Sequence, residues 1–423
     1  MLYSARVYSV SPGNNLMDKI ANVSEALRYA LRALRRECLE FRFDYPLAID
    51  LAAGPKNSLH YYLYSEELSW SVMSMDPEGI PRARNRLAGL VYRPAYIAWW
   101  GLVNLGHYLR HHDEISREAF LKQVNWLAKN ADLRPDGSVV WMNHFDCLQG
   151  QTLFRAPWVS AYDQGLVISA LVRGYRLTGR PELLNLLAGA SRVFTLGVDE
   201  GGVREPVSSG CLYSELPGKS IPGIQDGFMS ALLGLYDLFV QTEDPSVKKL
   251  FDDGVLGLKT MLPAWDYRKR WSWYGSHAYL CPPSYHWQNR ILLEILARLS
   301  HESVFAEYAE AWRPDRLSSI ARAEIFAMFL LTKNACRVRN KTWMLNLAKA
   351  RAGSSVEANA VAQAGFGKSA VETSAAEAGR VAARTARLKP CPSTSGVLPK
   401  AVPATTMNPL IDSLELTTRT AAP

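Results

Sequence analysis

Between Cys211 and Leu238 the chain passes from a polar loop broken by Gly and Pro, CLYSELPGKSIPG, into an apolar stretch with helical spacing. The loop carries a phenol, a carboxylate and an ammonium at Tyr213, Glu215 and Lys219. Acid–base chemistry and anion binding both draw on such groups. Phe228, Leu232 and Leu235 recur at helical spacing, and Asp226 is read as the N-cap of the helix they begin. A loop held at the mouth of a rigid helix is a common way to present reactive groups.

Other constellations are weaker. His107, His111, His112 and Asp113 have an i, i+4 spacing that could hold a metal, but they end a helix and read as solvated surface, so no metal site is assigned. No Gly-rich stretch is followed by Gly-Lys-Ser/Thr, which excludes a phosphate loop. No Gly-x-Ser-x-Gly elbow occurs either. The six cysteines are scattered with no CxxC pair, so neither a zinc framework nor a disulfide-dense module is indicated.

The net charge of +8 does not point to nucleic acid once it is located. From Ala335 onward there are 12 Lys/Arg and 5 Asp/Glu, which leaves 36 against 35 in the rest. The basicity belongs to the C-terminal stretch, and nucleic acid is not an expected partner. No basic start with an apolar run behind it is read at the N-terminus, and no run of about eighteen apolar residues occurs. A soluble, cytoplasmic protein without a membrane span is the expectation.

The elements that must position the loop are mostly helices. MDKIANVSEALRYALRALRRECLEF has helical periodicity and an Arg-rich polar face. YPLAIDL, HYYLY and LSWSVMSM are strand-sized pieces. From Tyr92 helices come in pairs with short turns inside each pair and long loops between pairs. Ser116 is read as the cap of the second helix, and Gly179 with Pro181 marks a helix–turn–helix. This texture predicts a mainly α fold, an incomplete α/α barrel or toroid over residues 92–331. Before it, residues 1–91 read as a helix and short strands packed on the domain. After it, residues 332–423 read as a low-complexity, largely disordered tail.

Four blocks, in order, resemble the C-terminal domain of D-glucuronyl C5-epimerases. They are WVSAYDQGLVISALVRGYRLTG, ELPGKSIPGIQDGFMSALLGLYDL, RWSWYGSHAYLCPPSYHWQNRILL and SHESVFAEYAEAW, with VYRPAYIAWWGL a weaker echo of a first helix. In the family the second block has a Glu-Tyr-Pro loop with a Tyr regarded as catalytic. Here the matching residues are Glu215, Leu216 and Pro217, so that phenol is missing; Tyr213 is the candidate to occupy similar space. The family's larger enzymes also have a β-rich N-terminal domain, for which the first ninety residues are too short.

The resemblance implies conversion of glucuronate to iduronate within a heparosan-like polysaccharide or a glycan precursor, with no cofactor. The proton at C5 lies α to a carboxylate, and its removal leaves an enediolate. A site for this needs groups that neutralise the carboxylate and an acid and base on opposite faces of the ring. The resemblance implies Tyr274 and Tyr285 as that pair, with Glu215 as base helper or hydroxyl ligand. A Tyr would serve if cationic neighbours lower its pKa, and a helix start at Tyr285 would help. Lys219, Arg270 or Arg290 would bind the carboxylate, His286 would support Tyr285, and Gln164 and Trp158 would line the sugar cleft.

The expected partner is a uronate-containing glycan, with a homodimer as an option for assembly. Two rivals stand beside this reading. One is a lyase or a glycoside hydrolase on the same scaffold; a hydrolase would pair Glu215 with Asp163 or Asp226. The other is a non-catalytic glycan-binding or assembly protein disabled at Leu216.

Overall fold

The computed structural model describes residues 16–365, apart from 44, 55–57, 66–72 and 219–222. It is mainly helical. The helices are α1 (Leu16–Glu40), α2 (Pro94–His111), α3 (Glu114–Lys129), α4 (Ala161–Thr178), α5 (Pro181–Ala190), α6 (Gln225–Thr242), α7 (Pro245–Trp265), α8 (Pro283–Ser300), α9 (Ser303–Ala311) and α10 (Ser319–Gly365). The strands form small antiparallel sheets, among them a three-stranded one of 73–75, 81–85 and 89–91.

Helices α2 to α9 form four hairpins of one design. In each, the first helix ends on a left-handed residue and the second starts from an extended one. The turns are His112–Asp113, Gly179–Arg180, Glu243–Asp244 and His301–Glu302. Only one of the four left-handed residues is Gly. The others accept a strained conformation, at about 1 kcal/mol each. Asp113, not Ser116, caps α3: its carboxylate accepts from the Ile115 and Ser116 N–H groups.

The first helices of the hairpins, α2, α4, α6 and α8, pack in that order, each covered by its own second helix. Contact is closest between α4 and α6. A Cβ at Gly165 would overlap the Ala231 backbone, and one at Gly234 would overlap Gly165. Two glycines of the family-like blocks are thus fixed by backbone approach. Because each hairpin turns in two residues at one end, the long connections and the N-termini of all four first helices lie at the other.

At the turn end, Arg173 of α4 and Asp237 of α6 form a fully buried ion pair of 2.6 Å. The Tyr62 hydroxyl donates to Asp237 at 2.8 Å, and Arg173 also donates to the His60 carbonyl at 2.9 Å. This docks the segment before α2 onto the helices.

Helix α10 runs through the boundary placed at 331–332, so residues 332–365 are helix rather than tail. Helix α1 lies along α10, with Arg337 on Glu37 and Lys341 near Glu25, so part of what holds this helix comes from a segment remote in sequence. Residues 366–423, the rest of the expected tail, lie outside the described residues. No described helix is long and apolar enough to cross a membrane.

Candidate active site

The site forms where the four N-termini meet. Arg93 occupies the N-cap position of α2, with Pro94 supplying the first helical residue. Its Nε donates to Asp163 Oδ1 at 3.3 Å and its Nη2 to Glu215 Oε1 at 2.9 Å. Asp163, in the first turn of α4, is fully buried and also accepts from the Ala95 N–H and from Asn143. Both its oxygens are therefore committed, which removes it as a hydrolytic partner for Glu215. The guanidinium lies over the rings of Tyr96 and Tyr162, 5.0 and 5.5 Å from their centroids.

Glu215 is delivered by the strand pair 204–206 and 211–213. Its turn at Gly210, with φ +77°, presses on α7 so closely that a Cβ would strike the Asp253 carbonyl. The Ser214 carbonyl then accepts from the Ala161 N–H at 2.9 Å, tying the strand to the start of α4. Glu215 lies on the backbone of Gly227 in the first turn of α6, where any Cβ would overlap its carboxylate.

Asp226 is not the cap of α6. The cap is Ile224, and Asp226 sits one residue inside the helix. It is buried, and its Oδ1 has no hydrogen-bond partner among the described residues. Burial, and then the Glu215 charge, push its pKa up to about 8. Burial also raises that of Glu215 against the pull of Arg93. For Arg93 burial acts downward, but Asp163, Tyr96 and Glu215 outweigh it and keep the cation charged. Two carboxyls thus lie in different settings, Glu215 held by the Arg93 cation and Asp226 without one at hydrogen-bond distance, an asymmetry of the kind that acid–base catalysis uses.

The buried Asp226 proton has a measurable consequence. The unfolded carboxyl ionises near pH 4, whereas the folded one holds its proton to about pH 8. Between those values the folded state binds more protons, so this group lowers stability as pH rises. Asp226→Asn is expected to match wild type below pH 4 and to gain several kcal/mol over it by pH 8, with about 5 kcal/mol as the upper bound set by the shift. Denaturant melts across that range measure it; a difference that does not change with pH would contradict the assignment.

Tyr285 lies in the first turn of α8, with Tyr274 edge-on at 5.4 Å between centroids. Burial raises both phenol pKa values well above the ordinary 10, with Tyr96 next for Tyr285 and Asp226 next for Tyr274. The expected lowering by cations does not occur, because the site's cation is matched by carboxylates. Trp158, buried, and Leu216 belong to the apolar wall around Tyr274. Leu216 thus fills its place with hydrocarbon.

The structure therefore brings together Glu215, Tyr274, Tyr285 and Trp158 of the expected residues, and it separates the others. Tyr213 is core: its hydroxyl donates to the Leu250 carbonyl at 2.7 Å and its ring meets Phe194 edge-on. Gln164 is a fully buried strut, donating to the carbonyls of Val139 and Ala190. His286 is buried and stacked on Trp271. Its Nδ1 accepts from the Ser272 N–H, its Nε2 donates to the Trp312 carbonyl, and burial lowers its pKa to about 3. It is a structural group.

Arg270 pairs with Glu324 on α10, and Arg290 pairs with Glu294 along α8. Neither is paired with Glu215, whose guanidinium partner is Arg93. Lys219 lies outside the described residues. Sequence reading missed Arg93, Tyr96 and Tyr162. The Arg-Pro pair opening α2 in VYRPAYIAWW is the signal that could have found the first of them.

Residues 136–314 match the family described as D-glucuronyl C5-epimerase C-terminus. A D-glucuronyl C5-epimerase of Caenorhabditis elegans is 28% identical over 214 residues, 46% of this chain and 34% of that protein. An uncharacterized protein of Methanocaldococcus jannaschii is 25% identical over 202 residues, 46% of this chain and 64% of its own. The chain thus spans about a third of the first relative and under two thirds of the second. Among solved structures, PssZ from Listeria monocytogenes aligns over 63% of this chain and 91% of its own at 12% identity, with a TM-score of 0.28.

Proposed function

We infer from residues 136–314, which belong to the D-glucuronyl C5-epimerase C-terminal family, that the chain exchanges the C5 proton of a glucuronyl residue in an acidic glycan. The hairpins then act as an incomplete α/α toroid, with substrate at the end where the helix N-termini converge. Those termini favour an anion. The observation that carries the reading is Glu215, held by Arg93 beside a protonated Asp226 and facing buried phenols.

In this reading Glu215 is the base. Its raised pKa makes it a stronger base than an ordinary carboxylate while Arg93 keeps it oriented. Tyr285, a phenol rather than a phenolate, returns a proton from the opposite face. The rings of Tyr274 and Tyr285 are in edge contact, so a pyranose does not fit between them; Tyr274 positions Tyr285 rather than opposing it. The neutral Asp226 and Tyr96 donate hydrogen bonds to the substrate carboxylate as it becomes an enediolate. Product is iduronate when the proton returns to the other face.

The test is incubation with glucuronate-containing polysaccharide, reading iduronate content. Tyr285→Phe is expected to lower the rate about 10²–10⁴-fold with little change in KM. An unsaturated product would replace this reading by a lyase. Binding without any conversion would favour the non-catalytic reading, for which Leu216 in the apolar wall is the supporting observation.

A further inference from the structure

A second cationic site lies beside the first. Between α1, α10 and the strand pair 147–149 and 152–154 is a cavity of about 210 Å³, lined by Tyr29, Arg86, Gln149, Lys333, Arg337 and Lys341. That is smaller than the roughly 300–1,000 Å³ of small-molecule pockets and suits one polar group rather than a whole ligand. Of its four cations, Arg337 is taken up by Glu37 in a two-pronged pair at 2.6 and 2.5 Å, and Lys341 lies 3.5 Å from Glu25. Arg86 and Lys333 have no carboxylate partner among the described residues. Arg86 donates to the Met344 sulfur at 3.7 Å. Lys333 places its ammonium over the Tyr279 ring, 3.9 Å from the centroid.

A cation drawn out of water without a counter-ion is unfavourable unless something else supplies the charge. Burial, and then the Arg337 charge, pull the Lys333 pKa down to about 8, as such a setting requires. Tyr279 offers partial compensation through its π face. The same ring stacks on Tyr274 at 5.3 Å and 16°, and Tyr274 touches Tyr285. Lys333 and the proton-transfer site therefore share one aromatic wall, Tyr279–Tyr274–Tyr285, while Arg86 stands exposed at the cavity's rim. Apart from Tyr279 and the 147–154 hairpin, the cavity's lining lies outside residues 136–314.

We propose that this cavity is an anion subsite for a carboxylate or sulfate on a second sugar of the same glycan whose other uronate sits at Glu215 and Tyr285. The proposal rests on the reading of the site as glycan-processing. Arg86 and Lys333 supply the charge, and the buried tyrosine wall separates this cavity from the proton-transfer site by the thickness of a few rings. Binding of a chain would then exceed that of a single sugar, because the second contact is made within one complex.

The test is calorimetric binding of methyl glucuronide, of a glucuronate-containing oligosaccharide and of its sulfated counterpart to the full chain, alongside Lys333→Met and Arg86→Met. Each substitution is expected to weaken at least one oligosaccharide about tenfold while leaving methyl glucuronide unchanged. The oligosaccharide affected identifies the anion. Because the two residues lie on different elements, a shared loss of this kind is not a folding defect. Equal weakening of all probes, or no weakening of either oligosaccharide, would overturn the subsite. Exchange at C5 is measured separately. Lys333-dependent binding without exchange would leave the subsite standing and remove the proposed chemistry; exchange indifferent to Lys333 would do the reverse.

Discussion

Arg93→Met is expected to lower stability by about 3–5 kcal/mol and any C5 exchange by at least about a hundredfold. The two losses share one cause. Asp163 is fully buried and Glu215 nearly so, and the guanidinium between them is the cation that both face. Met fills much of the volume but leaves two carboxyls together in a poorly solvated site. Protonation of Glu215 is the easiest relief, and a protonated Glu215 is no longer a base. Arg93→Lys should recover part of the stability and little of the rate. A point charge can neutralise the pair but cannot aim separate N–H groups at Asp163 and Glu215. Urea melts together with exchange rates check both parts. A Met variant within about 1 kcal/mol of wild type would show that Arg93 is not the keystone drawn here.

The second large effect lies at the opposite end. Asp237→Ala is expected to cost about 3–5 kcal/mol, because it strands Arg173, itself only 1% exposed. Tyr62 and the His60 carbonyl are held by the same pair, so the segment before α2 should loosen with it. The double variant Asp237→Ala/Arg173→Met is expected to be more stable than Asp237→Ala alone, since it leaves no buried charge without a partner. Equal stability of the single and double variants, measured in the same melts, would contradict the pairing.

These two residues show how far the sequence could be read. Asp237 stands in GLYDL, part of the most specific family-like block, yet nothing in that string says that its Asp anchors Arg173 sixty-four residues earlier. Helical periodicity and the Gly179–Pro181 turn were legible because they are local. The His112, Glu243 and His301 turns were not, since only tertiary packing explains a non-glycine in the left-handed region. The resemblance brought Glu215, Tyr274 and Tyr285 to attention, and the structure places them together. Arg93 and Tyr96 stand in VYRPAYIAWWGL, the weakest of the family-like stretches and one to which the resemblance attaches no role; they precede residues 136–314 and reach the site by the packing of α2 on α4.

The charge reading failed in an instructive way. Arg270 and Arg290 lie within a family-like block, and a carboxylate substrate asks for a cation, but an arginine serves only if its own neighbours leave it available. Glu324, remote in sequence, takes up Arg270. Tyr213 was offered as a stand-in for the missing phenol from proximity in sequence alone. On a strand, side chains two apart share a face, and Tyr213 shares the inward face with Cys211.

The measurement that tests the central claim most directly is solvent exchange at C5. Glucuronate-containing polysaccharide is incubated with the protein in deuterated water and read by NMR, with Glu215→Gln alongside. Deuterium at C5 with wild type, and none with the Gln variant, is the predicted result. A polysaccharide that binds wild type and gains no deuterium would contradict it.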